Sequence, residues 1–287
     1  MRYLDDAAVR GAISIPSAIE ALRAGLSAGA PPQPVRSTTV WTGGELLVMP
    51  AEAGAVAGVK LVTVGNGPVR VQGVYVLFDA ATLTPLVVAD AVSLTLLRTA
   101  ALSALATDLL APSSASRLAV VGTGPQAREH VQAMCAVRPI SAVTIVGRTP
   151  ARAAALAAEL GATAGADVSG ADIVCLCTTS TAPVVYAADL AAGAHVNAIG
   201  AHRPDAREVA ADVVASSFVV VDDADAARRE AGDLIMAVAE GAASEDVFAH
   251  DIAALVRGDI ARAADGRTLF KSVGFGLADL LVARLLA

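Results

Sequence analysis

The stretch Leu118-Ala-Val-Val-Gly-Thr-Gly-Pro-Gln-Ala127 constrains this chain more than any other. Leu118 to Val121 form a short, unbroken apolar run that suits a buried central strand. Gly122-x-Gly124-x-x-Ala127 follows at once, and Gln126 to Ala136 reads as a helix. Strand, glycine turn and helix make the setting in which this spacing points to a dinucleotide. Gly122 makes the tight turn, Gly124 lets the backbone approach a pyrophosphate, and Ala127 lets the helix pack closely on the strand. Cofactor contacts are therefore expected at Gly122, Thr123, Gly124, Pro125, Gln126 and Ala127. The alternative is a glycine turn in an α/β protein that holds no nucleotide.

The surroundings of this stretch agree with the first reading. Apolar runs at 118–121, 143–146, 173–177, 194–199 and 218–221 alternate with helical segments, and 161–166 has room for one more short strand. Such alternation predicts a parallel, doubly wound sheet. Before it the texture differs. A strand fragment and one helix occupy 1–29, the helix starting near Pro16 or Ser17 and ending at Gly29. Short strands then follow at 36–41, 45–49, 56–64, 69–78 and 86–89, with turns at Gly43-Gly44 and Gly65-Asn-Gly-Pro68. A long helix runs from Leu94 to Leu110, and Thr268–Ser272 and Leu277–Leu286 read as a strand and a closing helix. Pro112-Ser-Ser-Ala-Ser116 marks the domain boundary.

Composition excludes several classes. A chain of 287 residues that is 55% hydrophobic can bury a sizeable core. Net charge is −7 with no basic block, so nucleic acid is not an expected partner. No charge-free apolar run reaches the length of a membrane span, and the charged start lacks a signal-peptide core. Cys135, Cys175 and Cys177 read as reduced core thiols of a cytoplasmic protein. No two of the four histidines share a short ligand spacing, so no metal is expected.

The end of the second strand selects the nucleotide. An NAD site carries an acid there for the ribose hydroxyls. Here Val143-Thr-Ile-Val146 is followed by Gly147-Arg148-Thr149. A glycine leaves room, Arg148 offers a fork of donors and Thr149 a hydroxyl, which suits a 2′-phosphate, so NADP(H) is favoured over NAD(H). The alternative for Arg148 is a solvated surface arginine. Thr178 and Thr179 follow the fourth strand and either cover the cofactor or cap a helix.

Arg36, Lys60 and Arg98 stand out because their neighbours are apolar. Unpartnered buried charge is costly, so an anion or buried acids must meet them, unless long side chains simply snorkel to water. A small carboxylate substrate fits, and Asp90 is a possible internal partner.

Several stretches together resemble one family. Val48-Met-Pro50, Gly58-Val-Lys-Leu-Val-Thr63, Gln72-Gly-Val-Tyr-Val-Leu-Phe-Asp79, Leu97-Arg-Thr-Ala-Ala101, Gly122-Thr-Gly-Pro-Gln-Ala127, Asn197-Ala-Ile-Gly200, Arg203-Pro-Asp-Ala-Arg-Glu208 and Phe270-Lys-Ser-Val-Gly274 are similar, in order, to the ornithine cyclodeaminase/mu-crystallin family. The resemblance implies an α/β chain: a Rossmann doubly wound parallel sheet at 113–272 and an α+β substrate-binding and dimerisation domain at 1–112 with 273–287. It implies a homodimer, a nicotinamide cofactor with Thr99 and Ser272 beside it, and a substrate carboxylate on Arg36, Lys60 and Arg98. Gly147-Arg-Thr149 looks like the turn of the NADPH-using members. Cyclodeaminases of this family carry a catalytic aspartate where this chain has His202, which resembles the reductase and alanine-dehydrogenase-like branches instead.

The expected function is therefore reduction of a small cyclic imino acid, of the pyrroline-2-carboxylate or piperideine-2-carboxylate type, to the L-amino acid. His202 donates or relays the proton and Lys60 is the second catalytic residue. The alternative for His202 is a loop histidine outside the site. Other readings are ornithine cyclodeaminase, an alanine-dehydrogenase-like enzyme, and a mu-crystallin-like protein that binds a ligand in an NADPH-dependent way.

Overall fold

The computed structural model describes residues 2–65, 71–262 and 265–287. The expected Asn66-Gly-Pro68 turn and the start of the strand at Val69 lie outside them. The chain forms two compact units, Met1–Leu102 with Phe275–Ala287, and Ser103–Gly274.

The first unit begins with β1 (Arg2–Leu4), α1 (Asp6–Ala12) and α2 (Ile15–Ala28). The sequence pattern predicts one helix here, and there are two. Asp5 caps α1, while Ser14 and Ser17 form a capping box that starts α2, with Pro16 in its first turn. A proline is tolerated there and not in a helix interior, so the break falls before it. Gly29, at a φ of 75°, ends α2.

Strands β2 (Ser37–Trp41), β3 (Gly44–Ala53), β4 (Val56–Gly65), β5 (Val71–Asp79) and β6 (Pro85–Asp90) form an antiparallel meander, and β1 joins β6 in parallel. Side chains of a strand alternate between faces. In β4 the buried positions are Gly58, Lys60 and Val62, so Lys60 takes a place that the pattern reserves for an apolar residue. The register puts Met49, Lys60, Tyr75 and Ala89 in one row across four strands, and all four are buried.

The chain then enters α3 (Ala91–Leu110), and the division between units falls inside this helix, at Leu102. The Pro112–Ser116 composition shift marks the end of the helix; the change in packing partners comes earlier because one continuous helix serves both units. By length and composition α3 is apolar enough to cross a membrane, but 72% of that window is buried in the protein. Asp90 caps it, accepting from Ser93 N at 2.7 Å and Ser93 Oγ at 2.6 Å. The carboxylate considered as a partner for the cations thus serves the helix start.

The second unit is a parallel sheet. Its strands are β7 (Arg117–Val121), β8 (Ala142–Val146), β9 (Thr163–Gly165), β10 (Ile173–Leu176), β11 (His195–Ala198), β12 (Ser217–Val221) and β13 (Arg267–Lys271), in the order β12-β13-β11-β10-β7-β8-β9. Helices α4 (Pro125–Val137), α5 (Pro150–Leu160), α6 (Ala211–Ala215), α7 (Ala224–Glu230), α8 (Gly232–Ala239) and α9 (Ile252–Arg257) connect them. The order reverses between β7 and β10, where ligands of such sheets bind. Strand β11 is wholly buried yet carries His195 and Asn197. They are satisfied by Thr268 Oγ1 at 2.8 Å, by each other at 3.3 Å and by Thr107 Oγ1 at 2.9 Å. Burial lowers the His195 imidazole to about 3 and that of His130 to about 4, so both are neutral core groups. Cys175 is buried, but Cys135 is exposed on α4 and so is not a core thiol.

The last helix, α10 (Gly276–Ala283), returns to the first unit and packs on β3, β4 and α2.

Candidate functional site

Each unit carries one half of the candidate chemistry. In the first, Lys60 is 3% exposed, Arg98 5% and Asp279 fully buried. Asp279 Oδ2 lies 2.8 Å from Lys60 Nζ, which also donates to Oδ1 at 3.0 Å. Arg98 Nε lies 2.9 Å from Oδ1, an ion pair by distance whose direction is off the hydrogen-bond line. Sequence reasoning misses Asp279, although a signal for it is present. A lone acid in the apolar run Gly276-Leu-Ala-Asp279-Leu-Leu-Val-Ala283 obeys the same buried-charge argument as Lys60.

One carboxylate therefore meets two buried cations, which leaves one positive charge over. Arg98 Nη1 is buried with no hydrogen-bond partner among the described residues. A desolvated cation in excess is costly, and a bound anion relieves it. Burial chiefly, and then the charges of Arg98 and Arg36, bring the Lys60 ammonium down to about 8, against the opposing pull of Asp279. Arg36, half-buried just before β2, thus acts on the same cluster. Tyr75 stands beside Lys60 on the neighbouring strand; burial and the charge of Asp279 push its phenol far up, and its buried hydroxyl has no hydrogen-bond partner among the described residues. Snorkelling does not describe Lys60 or Arg98, because neither reaches water. Thr99, next on α3, is 7% exposed.

In the second unit, Gly122 sits at the sheet's reversal point with a φ of 134°, a region that favours glycine. A side chain there would strike the Cys177 carbonyl of the adjacent strand end. Gly124 has nothing within 4 Å of the place a side chain would take, so its surface is open to a ligand. It is the N-cap of α4 and offers no side-chain cap, while Pro125 opens the helix. Ala127 is fully buried, as close helix–strand packing requires, and Gln126 keeps a buried Oε1 without a hydrogen-bond partner among the described residues. This turn fits a pyrophosphate at a helix N-terminus.

Around the turn the picture is mixed. Arg148 and Thr149 are exposed beyond β8, and Arg148 forms no ion pair among the described residues. The space left by Gly147 is taken by the methyl of Thr123, which would lie 2.7 Å from an added side chain. Glycine at 147 therefore serves this packing and is not simply room for a phosphate. Thr178 caps no helix, and its hydroxyl hydrogen is engaged within the protein. Its N and Oγ1 both donate to Glu208 Oε1, at 2.9 and 2.7 Å. Thr179 is exposed in the same non-helical segment. Ser272 gives its hydroxyl to Asp222 Oδ2 at 2.7 Å, along with the amides of Val273 and Gly274. A buried carboxylate demands several donors, and these groups supply them.

His202 is half-buried, with Nδ1 3.3 Å from the Gly200 carbonyl. Buried charges hold its loop. Glu208 Oε2 accepts from Gly200 N at 2.6 Å and Ala201 N at 3.3 Å, and Lys271 Nζ donates to Ala201 O at 2.6 Å. Lys271 also pairs with Asp233 Oδ2 at 2.6 Å, and all three charged residues are fully buried. Burial raises the Glu208 carboxyl, with Lys271 opposing. Among the described residues no cluster of three His, Cys, Asp or Glu side chains is disposed to hold a metal.

Known proteins are similar to this chain in sequence and in fold. The chain is 35% identical over 260 residues to a Δ(1)-pyrroline-2-carboxylate reductase of Bacillus cereus, covering 84% of this chain and 80% of that protein. It is 32% identical over 255 residues to the ketimine reductase mu-crystallin of Mus musculus, covering 84% and 79%. The structure of Thermococcus litoralis Δ(1)-pyrroline-2-carboxylate reductase in complex with NADH and L-proline superposes with a TM-score of 0.93 at 28% identity, covering 99% of this chain and 96% of that one. A family model matches residues 5–287, and the chain belongs to the ornithine cyclodeaminase/mu-crystallin family.

Proposed function

We propose that this protein is a nicotinamide-dependent reductase of a small cyclic imino acid, converting a pyrroline-2-carboxylate or piperideine-2-carboxylate type ketimine to the L-amino acid. The observation that carries it is the buried Lys60–Asp279–Arg98 cluster with its excess positive charge and the unpartnered Arg98 Nη1. A carboxylate is the anion such a site takes, and an arginine binds it with paired, charge-assisted hydrogen bonds. The relatives named for reduction of a C=N bond beside a carboxylate support the reaction type.

The roles divide by unit. Arg36, Lys60 and Arg98 hold the carboxylate and so fix the adjacent C=N carbon. The Gly122–Ala127 turn holds the dinucleotide, and the reduced nicotinamide, when bound, supplies a hydride to that carbon. The nitrogen takes one proton, so two electrons and two hydrogens in all convert the imine to the amine. Lys60, charged below a pH of about 8, serves as an acid as well as a clamp. His202, in contact with water on a loop held by buried charges, relays the proton.

The protein is expected to consume NADPH when mixed with Δ(1)-pyrroline-2-carboxylate or its six-membered homologue, followed by nicotinamide absorbance. Turnover with pyruvate and ammonia alone would make it an alanine-dehydrogenase-like enzyme. Proline formation from ornithine would make it a cyclodeaminase. NADPH binding with no turnover on any of these would leave a ligand-binding protein.

NADPH is proposed over NADH because Arg148 follows β8 exposed, with glycine and threonine as its chain neighbours and no acid among them to repel a 2′-phosphate. Arg148→Ala is expected to weaken NADPH about tenfold or more, the value of one charged hydrogen bond at an exposed site, and to leave NADH nearly unchanged. Equal losses in a fluorescence titration of the two nucleotides would defeat the assignment. A homodimer through the first unit belongs to the same reading. Strand β2 is a sheet edge with Val40 80% and Trp41 54% exposed, a surface that favours a second sheet edge.

A further inference from the structure

Helix α10 poses a question that the reaction does not answer. From Leu277 to Ala283 every residue is buried, and all are apolar except Asp279. A leucine there would cost nothing in solvation, whereas a buried carboxylate carries a penalty of several kcal/mol unless its partners repay it. Its partners are few and specific. They are Lys60 Nζ at 2.8 and 3.0 Å and Arg98 Nε at 2.9 Å. One acid near the end of the sequence thus joins a strand lysine to a helix arginine.

The geometry also says how Arg98 is turned. With Nε beside Asp279 Oδ1, the outer edge of the guanidinium is left for something else, and Nη1 is buried there without a partner. We propose that Asp279 is the positioning residue of the carboxylate clamp: it holds the charge on the Lys60 ammonium and turns the Nη edge of Arg98 toward the substrate carboxylate. This rests on the proposed imine reduction for the identity of the substrate, but not for the contacts themselves.

Four groups face Lys60. They are Asp279 from α10, Arg98 from α3, Arg36 ahead of β2 and Tyr75 from β5, with the uncharged Met49 on its other side. Burial, Arg98 and Arg36 all push the ammonium toward the neutral form, and Asp279 is the group that opposes them. Removing its charge leaves only the lowering influences.

The chain makes a direct test practical, because Lys60 and Lys271 are its two lysines. Protein labelled with 13Cε-lysine gives two signals, assigned with Lys60→Arg, of which that of Lys60 is followed against pH. Lys271 pairs with Asp233 and serves as the internal control. In Asp279→Asn the Lys60 midpoint is expected to fall by about one pH unit or more while the Lys271 signal is unchanged, as loss of a close opposite charge requires. The Michaelis constant for the cyclic imine is expected to rise at least about tenfold, and the alkaline limb of kcat/KM to move to lower pH with the Lys60 midpoint. Asp279→Glu, which keeps the charge and lengthens the arm, is expected to restore the midpoint but not the Michaelis constant. Should the asparagine variant fail to fold, the glutamate variant still tests the positioning role, because an unchanged Michaelis constant there would overturn the proposal. An unshifted Lys60 midpoint in Asp279→Asn, or equal kinetic losses in both variants with no change in titration, would overturn the proposal. The titration needs no substrate, so absence of wild-type turnover would sink the imine-reductase reading and leave this test standing.

Discussion

Arg98→Ala is expected to raise the Michaelis constant for the cyclic imine carboxylate about a hundredfold or more and to leave NADPH affinity nearly intact. The substitution removes the guanidinium edge whose Nη1 is buried and unsatisfied. Each hydrogen bond to a charged group contributes about 1.5–3 kcal/mol, and a paired contact has two. Folding should suffer little by comparison. Asp279 keeps Lys60 as its partner, and the cluster goes from one excess positive charge to none. Steady-state kinetics together with a nucleotide titration separates the outcomes. A parallel loss of NADPH affinity would place this arginine on the cofactor, and an unchanged Michaelis constant would remove it from the clamp.

Lys271→Ala has the largest expected effect on stability. It leaves Asp233 fully buried with its Oδ2 abandoned, while Oδ1 still accepts from the amides of Glu208 and Val209 at 2.6 and 2.9 Å. It also withdraws the charge that opposes the raising of the Glu208 carboxyl. Removing one partner of a buried ion pair costs about 3–5 kcal/mol. For a unit of this size that corresponds to a fall in Tm of roughly 10 °C. The pH dependence has a definite sign. A carboxyl whose folded pKa is raised binds more protons in the folded state, so its penalty is relieved as pH falls and is complete at high pH. The variant should therefore lie nearer the wild type at about pH 5 than at about pH 8. Thermal melts at both values check this, and a small, pH-independent loss would show that Lys271 is not what holds the two acids. Replacing Asp233 by leucine as well is not expected to restore stability, because the Glu208 and Val209 amides would lose their acceptor.

The order of legibility follows from how local each signal is. The glycine turn is readable because strand, turn and helix adjoin in the chain, and Gly122 and Ala127 do there what their spacing implies. Lys60 is readable because a cation at an inward position of an alternating strand contradicts its surroundings. Its partner is not, since Asp279 is separated by 219 residues and the helix that carries it gives no hint of where it packs. The partners of Thr178 and Ser272 are hidden for a related reason, since only the fold shows that their hydroxyls donate to the buried Glu208 and Asp222. Nothing in Arg203-Pro-Asp-Ala-Arg-Glu208 sets its last acid apart from the surface acids before it. The helix that starts near Pro16 is read where α2 lies, but α1 is missed, because its seven residues bury only Val9 and show no apolar rhythm.

If buried cations hold a carboxylate while the neighbouring C=N bond is reduced, the enzyme with NADPH must tell two rings apart: Δ(1)-pyrroline-2-carboxylate, and the pyrroline that lacks the carboxyl group. Rapid turnover of the first is expected, with a kcat/KM for the second lower by about a thousandfold, the loss that follows when paired, charged hydrogen bonds have nothing to hold. Comparable rates for the two rings would contradict it.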